Sequence, residues 1–244
     1  MIEILESLLS GDIIKIISSI LAGIVIVFTA LPIHEFAHGW VANKLGDPTA
    51  KSQGRLDLNP FSHFDLIGTT ALLLFGFGWA KPVPVNPFYF KNRKNGMALT
   101  ALAGPASNVI VATIGLMIKK IIFYIALSTG SVSNFVSILL LVLDYIIEIN
   151  VMLAAFNLIP IPPLDGSKII GLFMPMHVYN RFENWFMRYQ QYVFYAMIAI
   201  FFILPRAGGP FQRIISIPLN FLEGIIYKLM NFITGFIDII AKLL

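Results

Sequence analysis

Residues 31–42 read LPIHEFAHGWVA, inside a run from about Ile13 to Leu45 that is otherwise almost wholly apolar. His34, Glu35 and His38 stand where a membrane-crossing helix should carry nothing ionisable, because such groups are costly in hydrocarbon and mark functional positions. Composition settles the surroundings. Of the 244 residues 57% are hydrophobic and only 12% charged, about half the roughly 25% usual in soluble domains. Mean hydropathy is +0.81. Such a chain cannot cover a globule with polar side chains, so much of its surface faces lipid.

Working outward, Gly46-Asp47-Pro48 ends this first run, and Pro32 inside it predicts a kink or restart. The N-terminal MIEILESLLSGDIIKI (1–16) is acidic where a signal peptide is basic, so it reads as part of a retained span. Residues 47–63 are polar and turn-rich. The apolar part of 66–90 is short for a span, since crossing takes about 20 residues. Alternation in KPVPVNPFYF, with its prolines, predicts a re-entrant segment followed by an edge strand. Helices are expected over about 97–127 and 132–158. IPIPPLDG (159–166) then breaks the pattern, because proline cannot continue a helix. A further span is expected at about 185–204, and 211–240 reads as a last span or an interfacial helix. The expected fold is an all-α polytopic membrane protein, residues 1–244 forming one domain. About five to six membrane segments surround a three-helix core, the core covering about 12–172 and the C-terminal segments about 183–244.

Lysine and arginine placement sets orientation. Residues 43–96 hold Lys44, Lys51, Arg55, Lys81, Lys91, Arg93 and Lys94, whereas the first ten residues hold two acids and no base. The N-terminus is therefore expected outside and 43–96 in the cytosol, in a multi-pass cell-membrane protein. The net charge of +4 is topological in this reading and does not point to nucleic acid. With no cysteine, disulfides and thiolate metal sites are excluded. The third helix should return to the cytosolic side, bringing IPIPPLDG to the depth of His34 and His38.

On a helix, positions i and i+4 share a face, so His34 and His38 can offer ring nitrogens to one point. Glu35, rotated about 100°, stands beside that point, placed to take a proton from a water and return it to a leaving amine. This is the H-E-x-x-H arrangement of zinc peptidases, and zinc accepts histidine nitrogen and carboxylate oxygen while keeping an open position. A third ligand is needed. His63 and His177 fall in expected loops. Asp144 lies 21 residues before Asp165, about 30 Å if helical, and Glu148 is nearly as far. Depth favours Asp165.

At these residues the chain resembles a known family. HEFAHG (34–39), AGPASN (103–108) and NLIPIPPLDG (157–166) are similar to the three signatures of the site-2 proteases, intramembrane zinc metalloproteases. GRLDLNPFSHFDLIGT and FGFGWAKPVPVN resemble a prokaryotic subgroup. The resemblance implies a three-helix catalytic core, one zinc held by His34, His38 and Asp165, and Glu35 as acid/base. It also implies substrate or transition-state contacts for Asn108 and Asn157, and transmembrane proteins as substrates, cut near the cytosolic face. PDZ or CBS domains, frequent in the family, are not expected in 244 residues.

Three lesser expectations follow. An edge strand at Gly78–Asn86 could hold substrate extended by strand addition. His63, in SHFD (62–65), reads as a solvated loop histidine or a gate. Lys119 and Lys120 should share the depth of Asp144, in an ion pair or at a shared outer-interface position, away from the site. Two other readings stand beside the peptidase: a membrane hydrolase of a non-peptide bond, and a non-catalytic scaffold or transporter. The second has no use for Glu35.

Overall fold

The computed structural model describes residues 21, 23–75, 78–130, 133–203 and 210–243. The expected N-terminal part of the first span lies outside the described residues. Helix α1, Leu31–Lys44, follows directly on a π-helical turn, Ile26–Ala30. Pro32 has no amide to close on the Phe28 carbonyl, and the wider π turn accommodates that missing bond. After a one-turn helix α2 (Thr49–Ser52), helix α3 spans Leu66–Phe75. The long helices are α4, Arg93–Ser128, and α5, Asn134–Leu158. Asn92 caps α4 by accepting the Asn95 amide at 3.1 Å, and Ser133 caps α5 by accepting that of Val136 at 3.3 Å. The proline-rich break leads into α6, Asp165–Ile170, then α7, Met176–Ile198, and α8, Pro210–Leu243.

Among the described residues, four stretches are long and apolar enough to cross a membrane: Gly23–Lys44, Arg93–Ser128, Asn134–Leu158 and Ser216–Ala241. The expected five to six segments are thus matched by four among the described residues. Helix α3 has 10 residues, about 15 Å, half a hydrocarbon core. Helix α7 carries Arg181, Glu183, Arg188, Gln190 and Gln191 along a largely exposed surface. The expected edge strand is also absent: no strand occurs among the described residues. Prolines 82, 84 and 87 remove the amides a ladder would use. Other amides of the stretch find partners elsewhere, with Lys81 N–H donating to the His63 carbonyl (2.9 Å) and Asn86 N–H to Asp47 Oδ2 (2.6 Å).

Helices α1, α4 and α5 pack together as the core, with the π turn against α5. Helix α8 joins it along α4 and α5. Its buried Ile226 and Met230 meet Ala112, Ile147, Val151, Ala154 and Ala155. Leu219 and Leu222 reach Ile159 and Leu164, while Asp238 reaches Lys120 at 2.6 Å and Tyr124 at 3.0 Å. Rising residue number on α8 thus matches rising number on α4, so the two helices run parallel. Residues 211–240 thus lie in a helix of span length packed on α4 and α5.

Candidate metal centre

His34 and His38, one turn apart on α1, converge as their spacing requires. Their Nε2 atoms are 2.9 Å apart, and Asp165 Oδ2 lies 3.3 Å from one and 3.2 Å from the other. His34 and Asp165 are buried. Asp165 opens α6 just after the proline-rich break, and Gly166 lets that turn tuck against the end of α5. A Cβ on Gly166 would stand 2.3 Å from the Leu158 carbonyl oxygen. Gly104 performs the same service on α4, where a Cβ would lie 2.4 Å from His38 Nε2 and 2.5 Å from His34 Cε1. Closer than about 3 Å, a side chain could not coexist with the two rings.

The donor set fits zinc in two respects. Zinc–nitrogen and zinc–oxygen bonds of about 2.0–2.2 Å imply ligand atoms about 3.3–3.5 Å apart in a tetrahedron, close to the triangle found here. The protons fit as well. His38 Nδ1 is 2.7 Å from the Thr100 carbonyl, which only accepts, so Nδ1 carries the hydrogen. His34 Nδ1 donates to Asn108 Oδ1 at 2.6 Å. With its hydrogen on Nδ1, each ring in its neutral form turns an Nε2 lone pair toward the same point, beside a carboxylate. Three such acceptors facing one another repel, and a cation among them removes that repulsion.

Glu35 stands next to this cluster, half-buried, with Oε2 accepting the Val83 amide at 2.8 Å. Gly39, one turn on, leaves room for Val83, whose Cγ1 would be 3.0 Å from an added Cβ. Arg55 holds the same extended stretch by donating to the Lys81 and Pro82 carbonyls at 2.9 and 3.4 Å. A cleft of about 340 Å³ is lined by His34, Glu35, His38, Val83, Asn157 and Asp165. Asn157 lines it while donating from Nδ2 to the Leu153 carbonyl of its own helix (3.0 Å).

Asn108 is placed differently from the substrate contact expected of it. It is fully buried, with Oδ1 against His34 and Nδ2 donating to Asn150 Oδ1 at 2.8 Å. The close approach of α4 to α1 points its amide at the back of the imidazole, away from the cleft. His63 is neither solvated nor in the cluster. It is 2% exposed, and its Nε2 donates to the Asp57 carbonyl at 2.8 Å. Lys119 pairs with Asp144 as expected, but Lys120 pairs with Asp238 of α8. Sequence reasoning missed the Thr100 carbonyl, the Val83 amide and Asn150. Only Asn150 left a trace, as a polar residue embedded in an apolar helix.

The profile of peptidase family M50 matches residues 22–204, most of the chain. The chain belongs to peptidase family M50. Among its relatives is YwhC of Bacillus subtilis (strain 168), 42% identical over 158 residues, covering 62% of this chain and 68% of that protein. MJ0611 of Methanocaldococcus jannaschii is 33% identical over 139 residues, 56% of this chain and 62% of its own length. The names of both provisionally describe zinc metalloproteases. No solved structure matches the chain. Helix α8 lies beyond the region that the family profile matches.

Proposed function

We propose that this chain is an intramembrane zinc endopeptidase that hydrolyses peptide bonds within or next to transmembrane segments of other membrane proteins, near the cytosolic face. The observation that carries the reading is the convergence of His34, His38 and Asp165 on one point, with Glu35 beside them in a shared cleft. His34, His38 and Asp165 hold the metal. Bound zinc supplies Lewis-acid polarisation of the scissile carbonyl and of an attacking water. Glu35 is the acid/base: the Val83 amide occupies Oε2, so Oε1 takes the proton of the water and delivers it to the departing amine nitrogen. Asn157, on the cleft wall, supplies an amide toward the carbonyl oxygen as charge develops there. Asn108 acts behind His34.

A helical substrate must become extended before a peptide bond can be attacked, because its carbonyls are engaged along its own helix. The 81–86 stretch, itself extended beside Glu35, offers a surface for such a chain. Water reaches the site from the near side of the membrane. His34 lies ten residues from the end of α1, about 15 Å along the helix, and the basic residues beyond that end support a cytosolic side for it.

The test is cleavage of a transmembrane substrate co-reconstituted with wild-type or Glu35→Gln protein. Loss of the acid/base is expected to lower kcat by about 10²–10⁴-fold while zinc stoichiometry stays at one per chain. Equal turnover by the two proteins would overturn the mechanism. Hydrolysis only of non-peptide bonds would overturn the substrate class.

A further inference from the structure

We infer that Asn150 is a positioning residue that sets the tautomer of His34, and through it the metal affinity of the site. The inference rests on the reading of His34 as a metal ligand. To bind a metal through Nε2, the neutral ring must carry its hydrogen on Nδ1, and what faces Nδ1 decides this. Here it is the side-chain amide of Asn108, 2.6 Å away.

An amide is nearly symmetric in shape, with an acceptor at one end and two donors at the other. With the oxygen toward His34, Nδ1 is protonated and Nε2 is free to bind. With the NH₂ there instead, Nδ1 must accept, the hydrogen moves to Nε2, and the metal-binding lone pair is lost. The orientation of Asn108 is therefore a switch between a competent and an incompetent ligand, and its other contacts decide the setting.

Those contacts are two. Asn108 Nδ2 donates to Asn150 Oδ1 at 2.8 Å and approaches the Ala30 carbonyl at 3.4 Å. The second is beyond the usual 2.7–3.2 Å range for N–H···O bonds, so Asn150 provides the short one. Asn150 is itself an amide that could flip, but its Nδ2 donates at 2.8 Å to the Ile146 carbonyl, an acceptor with no alternative role. The polarity of the chain thus starts at a backbone oxygen on α5, passes through Asn150 and Asn108, and ends at His34 on α1. Asn108 and Asn150 are both fully buried, so water offers neither an alternative partner. Every donor in this relay has an acceptor, and reversing any one member leaves two acceptors or two donors face to face, each an unmet buried group.

The experiment compares wild type, His34→Ala, Asn150→Leu, Asn150→Ala and Asn150→Asp by competition for zinc against a chromogenic chelator. It also records ring ¹⁵N shifts of labelled histidine in the metal-free proteins. Asn150→Leu and Asn150→Ala remove the acceptor and are expected to weaken zinc binding by about 10–100-fold, the range for outer partners of ligating histidines. His34 in these two should move from the Nδ1–H tautomer to a mixture. Asn150→Asp, protonated in its buried site, keeps an oxygen toward Asn108 and a donor toward Ile146, and should stay within about threefold of wild type in zinc affinity. Asn150→Ala adds no bulk, so it carries the test if the leucine variant does not fold. Wild-type tautomer and affinity in the alanine variant would overturn the inference, as would an equal loss in Asn150→Asp with the tautomer unchanged. Equal zinc binding by wild type and His34→Ala would instead overturn the reading of His34 as a ligand.

Discussion

Helices α4 and α5 carry polar side chains at two levels, and the two are built in opposite ways. At the far end, charges meet opposite charges: Lys119 with Asp144, and Lys120 with Asp238, which also accepts from Tyr124. These groups are only partly buried, the Asp144 and Asp238 side chains being 38% and 36% exposed. At the near end the groups are buried amides and imidazoles, hydrogen-bonded on every side but one. The side left open holds two lone pairs and a carboxylate directed at a common point. Pairing that cancels charge makes a clamp between helices; pairing that leaves acceptors in surplus makes a cation site.

The largest effect should come from breaking the near end at its distant contributor. Asp165→Ala removes one of three converging acceptors, so zinc affinity should fall by more than the roughly 100-fold upper range for outer-shell changes. Equilibrium dialysis against a metal buffer measures it, and near-wild-type retention of zinc would mean Asp165 is not a ligand. Next comes Gly104→Ala, whose Cβ would press on both imidazoles. Overpacking of this kind costs about 1–3 kcal/mol, so the unfolding midpoint in detergent should drop and zinc binding weaken together. Unchanged binding would show that α4 can retreat from α1. The smallest effect belongs to the far end. Asp238→Asn, far from the cluster, should leave zinc affinity unaltered in the same dialysis. A large loss of zinc there would erase the distinction between the two levels.

Much of the site was legible before any coordinates. His34 and His38 are one helical turn apart, a relation sequence spacing encodes directly. Asp165 followed from depth, since both ends of that estimate rest on helix rise. The Lys119–Asp144 pair was reached by the same counting. Counting failed wherever the partner was not on a neighbouring core helix or not a side chain. Lys120 pairs with α8, whose side-by-side course with α4 no spacing encodes. Residues 81–86 alternate like a strand, yet their prolines leave too few amides for a ladder, and those of Val83 and Asn86 go to Glu35 and Asp47. For Asn108 the sequence left the direction open, because an asparagine near a metal can face the substrate or the back of a ligand.

By itself the sequence determined that this chain lives in a membrane, that α1 presents two histidines and a glutamate on adjoining faces, and that a carboxylate returns to their depth. Periodicity and hydropathy are local and additive, so they survive without coordinates. Only the tertiary structure decided the direction of each hydrogen bond around those groups. That direction depends on which atoms of three separate helices meet. Here it runs from the Ile146 carbonyl through two buried amides to the ring nitrogen of His34.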